Sequence, residues 1–316
     1  MTENKFKHYA LILILTIVLS AVSTLGLGVF GFLFTAILAS IIGYTITRYH
    51  YFFVGAVCAC VVAVYALFVG NFVAAITSLL PVLLCGISLG IAYNVKLTEF
   101  KTISILSCIY TLYLLLSVKI IGVNENNRNI IEEAFKTSSE IYKETLLAAY
   151  GSEISLIEID SLMADVMSVL MKFMPSFIII LCICVALFMF FIFKKVLKFK
   201  KSDLSLYKPF SEWQFDKSLS VVYFIIVIIS FIIPEGYMAD ALKNVVFVST
   251  FVFYILGLSF VDFLLKRRIK NATSEKIILI LTALFSLFAL GFPFILISIL
   301  GAADGLLNIK EKALKK

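Results

Sequence analysis

Apolar residues run through this chain in long unbroken blocks separated by short charged breaks, not in alternation with polar ones. No Lys, Arg, Asp or Glu stands between Tyr9 and Thr47, or between Tyr49 and Val95. Such blocks exceed the roughly 18 apolar residues that mark a bilayer-spanning helix. Lipid offers backbone N–H and C=O groups no partner, so only helices or closed barrels cross it. Continuous apolar runs exclude the barrel. The pattern predicts an all-α, polytopic transmembrane helical bundle. Spans are expected at about 9–24, 26–47, 51–69, 72–94, 102–120, 167–193, 218–235 and 244–265, followed by an apolar block at 277–307. In that block "ALGFPF" (Ala289 to Phe294) carries Gly291 and Pro293, which favour a hairpin of two short helices over one span. The total is then about nine to ten membrane helices, depending on that hairpin.

One segment breaks the pattern. From Asn126 to Val166 the chain reads like a soluble helical protein, with Ile131, Ala134, Phe135, Ile141, Tyr142, Leu146 and Ala149 spaced for one helical face. Gly151 ends that helix, and Ser155 with Glu158 supplies a capping box for a second one that runs into helix six. Nine acids against three bases between Gly122 and Asp165 give the segment a net charge of −6. Anionic headgroups repel such a face, so it is expected to cap the bundle, as a lid or as an ordered loop. The organisation is therefore a five-helix membrane bundle at 1–121, an extracytoplasmic amphipathic helix pair at 122–166, and membrane helices at 167–316 with a cytoplasmic elbow at 201–217.

Composition sharpens this reading. The chain has 316 residues, 62% of them apolar and 15% charged, and a formal charge of +7. That excess reports orientation, not a nucleic-acid partner. With the N-terminus in the cytoplasm, 17 of the 27 Lys and Arg fall in inside segments and five in outside ones. Lys310, Lys312, Lys315 and Lys316 place the C-terminus inside as well. "KFKHYALILILTIVLSAVS" mimics a signal peptide, but a second apolar segment begins at Leu25, so an uncleaved first helix is expected. The six cysteines all lie in apolar segments. Their two C-x-C pairs project about 200° apart on a helix, and only His8 and His50 are present. No metal or other cofactor is expected.

Candidate functional residues are few. Helix four carries Pro81, Gly86 and Gly90: either a close-packing face, or a bent helix whose freed carbonyl lines a ligand cavity. Lys172, three residues before Pro175, is either a snorkelling cation or an intramembrane functional charge. In "YKPFSEWQFDKS", Phe210, Glu212 and Trp213 form an interfacial anchor or a docking point for a cytoplasmic protein. Asp262 with Lys266 reads as a structural i,i+4 pair, and Asp304 similarly. The chain has no Walker A loop, H-E-x-x-H or G-x-S-x-G, and no paired carboxylates deep in the membrane. It is not expected to be an enzyme, and transport by it would draw on a partner for energy.

The Pro81…Gly86…Gly90 helix, the amphipathic pair entering a helix through Met174-Pro175, Phe210-x-x-Trp213, Gly257-Leu258-Ser259 and Gly301-x-x-Asp304 together resemble the YybS-like family of uncharacterised bacterial membrane proteins. The resemblance covers nearly the whole chain. Two departures stand out: Phe215-Asp216 replaces a proline expected after Trp213, and Asn308 and Lys310 stand where an arginine would follow Asp304. The family is distantly similar, in its first six helices, to the substrate-binding components of energy-coupling-factor transporters. That similarity implies a multi-pass protein of the bacterial plasma membrane that binds a small molecule and relies on ATPase and transmembrane coupling subunits. The alternative is a non-catalytic scaffold or regulator that recruits envelope or cytoplasmic proteins.

Overall fold

A computed structural model of the chain describes residues 3–24, 29–49, 51–70, 72–123, 156–199, 207–288 and 291–314, with single positions between 137 and 145. The described residues form helices and no strand. They are α1 (Glu3–Thr24), α2 (Val29–Arg48), α3 (Tyr51–Val69), α4 (Phe72–Asn94), α5 (Glu99–Val123), α6 (Leu156–Phe199), α7 (Lys217–Ile232), α8 (Tyr237–Arg268), α9 (Ala272–Phe288), α10 (Phe292–Leu307) and α11 (Ile309–Leu314). A single 3-10 turn, Phe210–Glu212, precedes α7. By length and composition Glu99–Leu116, Ala164–Phe199 and Tyr237–Arg268 could each cross a membrane, and several shorter apolar helices stand beside them. This is the polytopic all-α class that the apolar blocks predict. The last block breaks in two: α9 and α10 meet at 120°, with Gly291 as N-cap and Pro293 in the first turn of α10.

Helix six is longer than the span expected at 167–193. No helix-breaking residue stands between Leu156 and Pro175, so the amphipathic approach and the membrane helix form one continuous 44-residue helix. Its apolar stretch starts at Ala164, so the turns before it lie beyond the apolar zone. The first amphipathic helix, expected within 126–150, falls almost wholly outside the described residues.

The chain forms two compact units. One comprises Met1–Met163 with Leu181–Tyr207, the other Ala164–Ile180 with Lys208–Lys316. In the first, α2 and α4 interlock through glycines. A Cβ on Gly90 would lie 2.5 Å from the Cβ of Ile46, and one on Gly86 would lie 2.8 Å from that of Ile42. Ile42 and Leu89 are fully buried at this seam. Ser40 Oγ donates to the Ala36 carbonyl at 2.8 Å and to that of Met189 at 3.2 Å, tying α2 to the inner part of α6.

In the second unit α8 is central. A Cβ on Gly257 would overlap the Ile297 carbonyl, and one on Gly301 would overlap that of Phe253, so the α8 and α10 backbones touch there. Tyr254 Oη lies 2.8 Å from Ser286 Oγ and donates to the Ala283 carbonyl at 3.0 Å, joining α9 to α8. Tyr223 on α7 reaches Thr250 on α8 at 3.2 Å.

Candidate functional site

The close approach of α8 and α10 sets up a polar cluster at one end of the second unit. Ser259, Asp262 and Lys266 follow Gly257 on α8 at i, i+3 and i+7, which places them on one face. On α10, Gly301 and Gly305 repeat at i, i+4, and Asp304 lies between them in the turn. Asn308 then adopts a left-handed conformation (φ 52°, ψ 46°) that ends α10 and starts α11, a helix end that Asn tolerates better than most residues. Its N–H donates to the Asp304 carbonyl at 2.8 Å. The reversal brings Lys310 back over Asp304.

Lys310 is 2% exposed and Asp304 1%. The Asp304 carboxylate accepts the Lys310 backbone N–H on Oδ1 at 3.1 Å, and its Oδ2 lies 3.3 Å from Nζ. Nζ also donates to the Trp213 carbonyl at 2.6 Å and to Ser259 Oγ at 2.7 Å. Three acceptors thus meet the three N–H groups of the ammonium, the condition under which a charge tolerates burial. Burial pulls the Lys310 pKa below its ordinary value, and the Asp304 charge opposes that shift.

These groups clamp the elbow. Ser259 Oγ lies within hydrogen-bond reach of the Phe210 carbonyl (2.6 Å) and the Trp213 carbonyl (2.9 Å). Gln214 Nε2 donates to the Asp304 carbonyl at 2.6 Å. A second latch forms where Lys266 Nζ reaches both Asp262 Oδ2 (2.8 Å) and Ser211 Oγ (3.0 Å). The Trp213 ring is buried, edge-on to Phe210 at 5.2 Å, and its Nε1 donates to the Lys208 carbonyl at 3.4 Å. Beside the clamp lies a cleft of about 210 Å³ whose lining includes Lys208, Glu212, Gln214, Asp216, Asn308 and Glu311.

The residues singled out in the sequence fare differently. Phe210, Glu212 and Trp213 come together in the elbow, but the Trp213 indole faces inward and anchors it. Glu212 lines the cleft. Gly86 and Gly90 meet the α2 backbone and Ile42 and Ile46, so close packing fills their face, and Pro81 is buried within α4. The Lys172 side chain is exposed, and its backbone carbonyl is bonded by Asn244. Pro175 lacks an N–H and its ring crowds the preceding turn. Asn244 of α8 braces the neighbouring rung: its Nδ2 donates to the Lys172 carbonyl at 2.9 Å and its Oδ1 accepts the Ser176 N–H at 3.3 Å. Among the described residues no His, Cys, Asp and Glu grouping could hold a metal ion.

Sequence reasoning missed Ser259, Gln214, Asn308 and Lys310 as partners of one another. The signals were a polar face in an otherwise apolar α8, a second G-x-x-x-G in "GAADG", and an Asn placed to end a helix.

An uncharacterised protein of Bacillus subtilis (strain 168), YybS, is 27% identical over 205 residues, 63% of this chain and 63% of its own length. No solved structure matches the chain. The model of the family described as "Predicted membrane protein (DUF2232)" matches residues 12–305, a stretch that holds both glycine seams and the elbow but ends before Lys310, and the chain belongs to that family of membrane proteins.

Proposed function

We propose that this chain is a partner-dependent membrane component that binds or transports a solute, and that the clamped elbow is where an energising protein docks from the cytoplasm. The carrying observation is the clamp itself. The Trp213 carbonyl is held by both Lys310 Nζ and Ser259 Oγ, so the loop bearing Lys208, Glu212 and Asp216 is fixed before any partner arrives. A preorganised surface loses less entropy on binding than a mobile loop does. This reading has the elbow on the inner face of a bacterial plasma membrane with both termini inside, and the lysine-rich loops around the elbow support it. The charge-poor helices leave the chain no private means of driving a solute uphill, so ATPase and transmembrane coupling subunits, as in energy-coupling-factor transporters, are the partners this reading requires.

The scaffold reading has one observation in its favour: the Gly86 and Gly90 face is filled by α2, which leaves that face to packing. Both readings use the elbow for docking and neither assigns the chain catalysis. Purification of the tagged protein from gently solubilised native membranes separates them. Stoichiometric ATPase and coupling subunits fit the transport role. Envelope or signalling proteins without ATPases fit the scaffold and overturn the transport role.

A further inference from the structure

Short as it is, α11 sorts its side chains onto two sides. Lys310 and Glu311 line the elbow cleft, while Ile309, Lys312 and Ala313, at i, i+3 and i+4, face the opposite way. With Leu307 of α10 and Arg267 from the last turn of α8, they line a separate open groove of about 480 Å³. Among the described residues its two charged side chains are both cations, and no carboxylate lines it. Its floor, made of Leu307, Ile309 and Ala313, is apolar.

The groove sits where a membrane helix ends. Leu264 and Leu307 are exposed at the edge of the apolar surface, and Arg267 and Arg268 follow at once on α8. The Arg267 guanidinium is oriented there: it lies 5.3 Å from the Phe263 ring centroid, and Nη2 donates to the Ala313 carbonyl at 3.3 Å. That bond uses one of the five N–H groups of the guanidinium. A cationic rim over an apolar floor at the mouth of a membrane helix matches one chemistry, a phosphate ester joined to an acyl chain.

We infer that this groove holds the headgroup of an anionic phospholipid, with its phosphate between Arg267 and Lys312 and its first acyl carbons along Leu307 and Ile309. The site is independent of the elbow and of the transport reading.

The test is native mass spectrometry of the purified full-length protein in detergent, titrated with phosphatidylglycerol or phosphatidylcholine. The wild type should retain phosphatidylglycerol in preference. Arg267→Gln with Lys312→Gln should weaken that retention roughly ten- to thirty-fold, since each cation near a membrane surface contributes about a factor of five. The charge-keeping pair Arg267→Lys with Lys312→Arg should retain most of it, and Lys243→Gln at the far end of α8 should change nothing. Unchanged Trp213 fluorescence in each variant separates loss of the site from loss of the fold. Equal retention of both lipids, or indifference to the double substitution in a folded variant, overturns the inference. So does equally effective competition by soluble glycerol 3-phosphate, which would make this a site for free phosphate esters.

Discussion

Asp304 and Lys310 form a buried ion pair in which one carboxylate oxygen takes the lysine backbone N–H and the other faces its ammonium. The pair closes a six-residue reversal at the end of α10, and the same ammonium holds the elbow through the Trp213 carbonyl. One lysine thus links the end of a membrane helix to a loop nearly a hundred residues earlier.

Removing one member of the pair strands the other charge. Asp304→Ala and Lys310→Met should each destabilise the protein by about 3–5 kcal/mol, while replacing both with Leu and Met should be far milder. Thermal unfolding in detergent checks this. Additive single-variant losses in the double variant would show that the pair does not act as a unit.

The lowered Lys310 pKa has a signed consequence. Below it the lysine is charged in both the folded and the unfolded states, so stability does not vary with this group. Between it and the ordinary value of 10.5 the unfolded chain binds the extra proton. Stability should therefore rise as pH climbs through that window. Lys310→Met should remove this component, as read from melting temperature against pH for the two proteins.

Trp213 is the single tryptophan and is 1% exposed, so tryptophan emission, excited selectively over the tyrosines, reports on the elbow. Ser259→Ala removes a hydroxyl that three groups share and should cost about 1–3 kcal/mol. Its emission should shift to the red and be quenched more readily by acrylamide. Emission like that of the wild type would mean that Ser259 does not hold the loop.

Glycine seams differ sharply in tolerance. Gly257→Ala or Gly301→Ala forces a methyl into a backbone carbonyl and should destabilise by about 1–3 kcal/mol or more. Gly55 in α3 meets nothing within 4 Å, so Gly55→Ala should stabilise by roughly 0.5–1 kcal/mol. Melting temperatures of the three variants should move in these opposite directions.

Asn244 braces α6 against α8 beside Pro175. Asn244→Ala should cost about 1–3 kcal/mol by removing its bonds to the Lys172 carbonyl and the Ser176 N–H. Pro175→Ala removes the ring that crowds this turn and lets the helix close it, so the loss should shrink in that background. A double-mutant cycle on thermal unfolding measures the difference.

Helix positions were plain in the sequence because lipid imposes them: the apolar blocks run uninterrupted, and Gly291 with Pro293 marks the bend between α9 and α10. The clamp was not. Phe210-x-x-Trp213, Gly257-Leu258-Ser259 and Gly301-x-x-Asp304 could each be noted, but Ser259 is 46 residues from Trp213 and Asp304 is 90 from Gln214. Only the packing of α8 against α10 brings them together. Lys310 counted in sequence as one more inside charge on a basic tail. Its burial depends on the left-handed turn at Asn308, and helical periodicity does not report a turn. The reverse holds for Gly86 and Gly90, whose spacing allows either a cavity or a packed seam, and the neighbouring Ile42 and Ile46 make it a seam.

The central claim is that the clamped elbow docks an energising partner. The most direct measurement compares what co-purifies from native membranes with the wild type and with a Glu212→Lys, Asp216→Lys variant. Asp216 makes no side-chain cap bond to α7, and unchanged Trp213 fluorescence would verify that the elbow is intact. The account predicts that ATPase and coupling subunits accompany the wild type and are lost from the variant. Recovery of the same proteins with both forms, or of no ATPase with either, would contradict it.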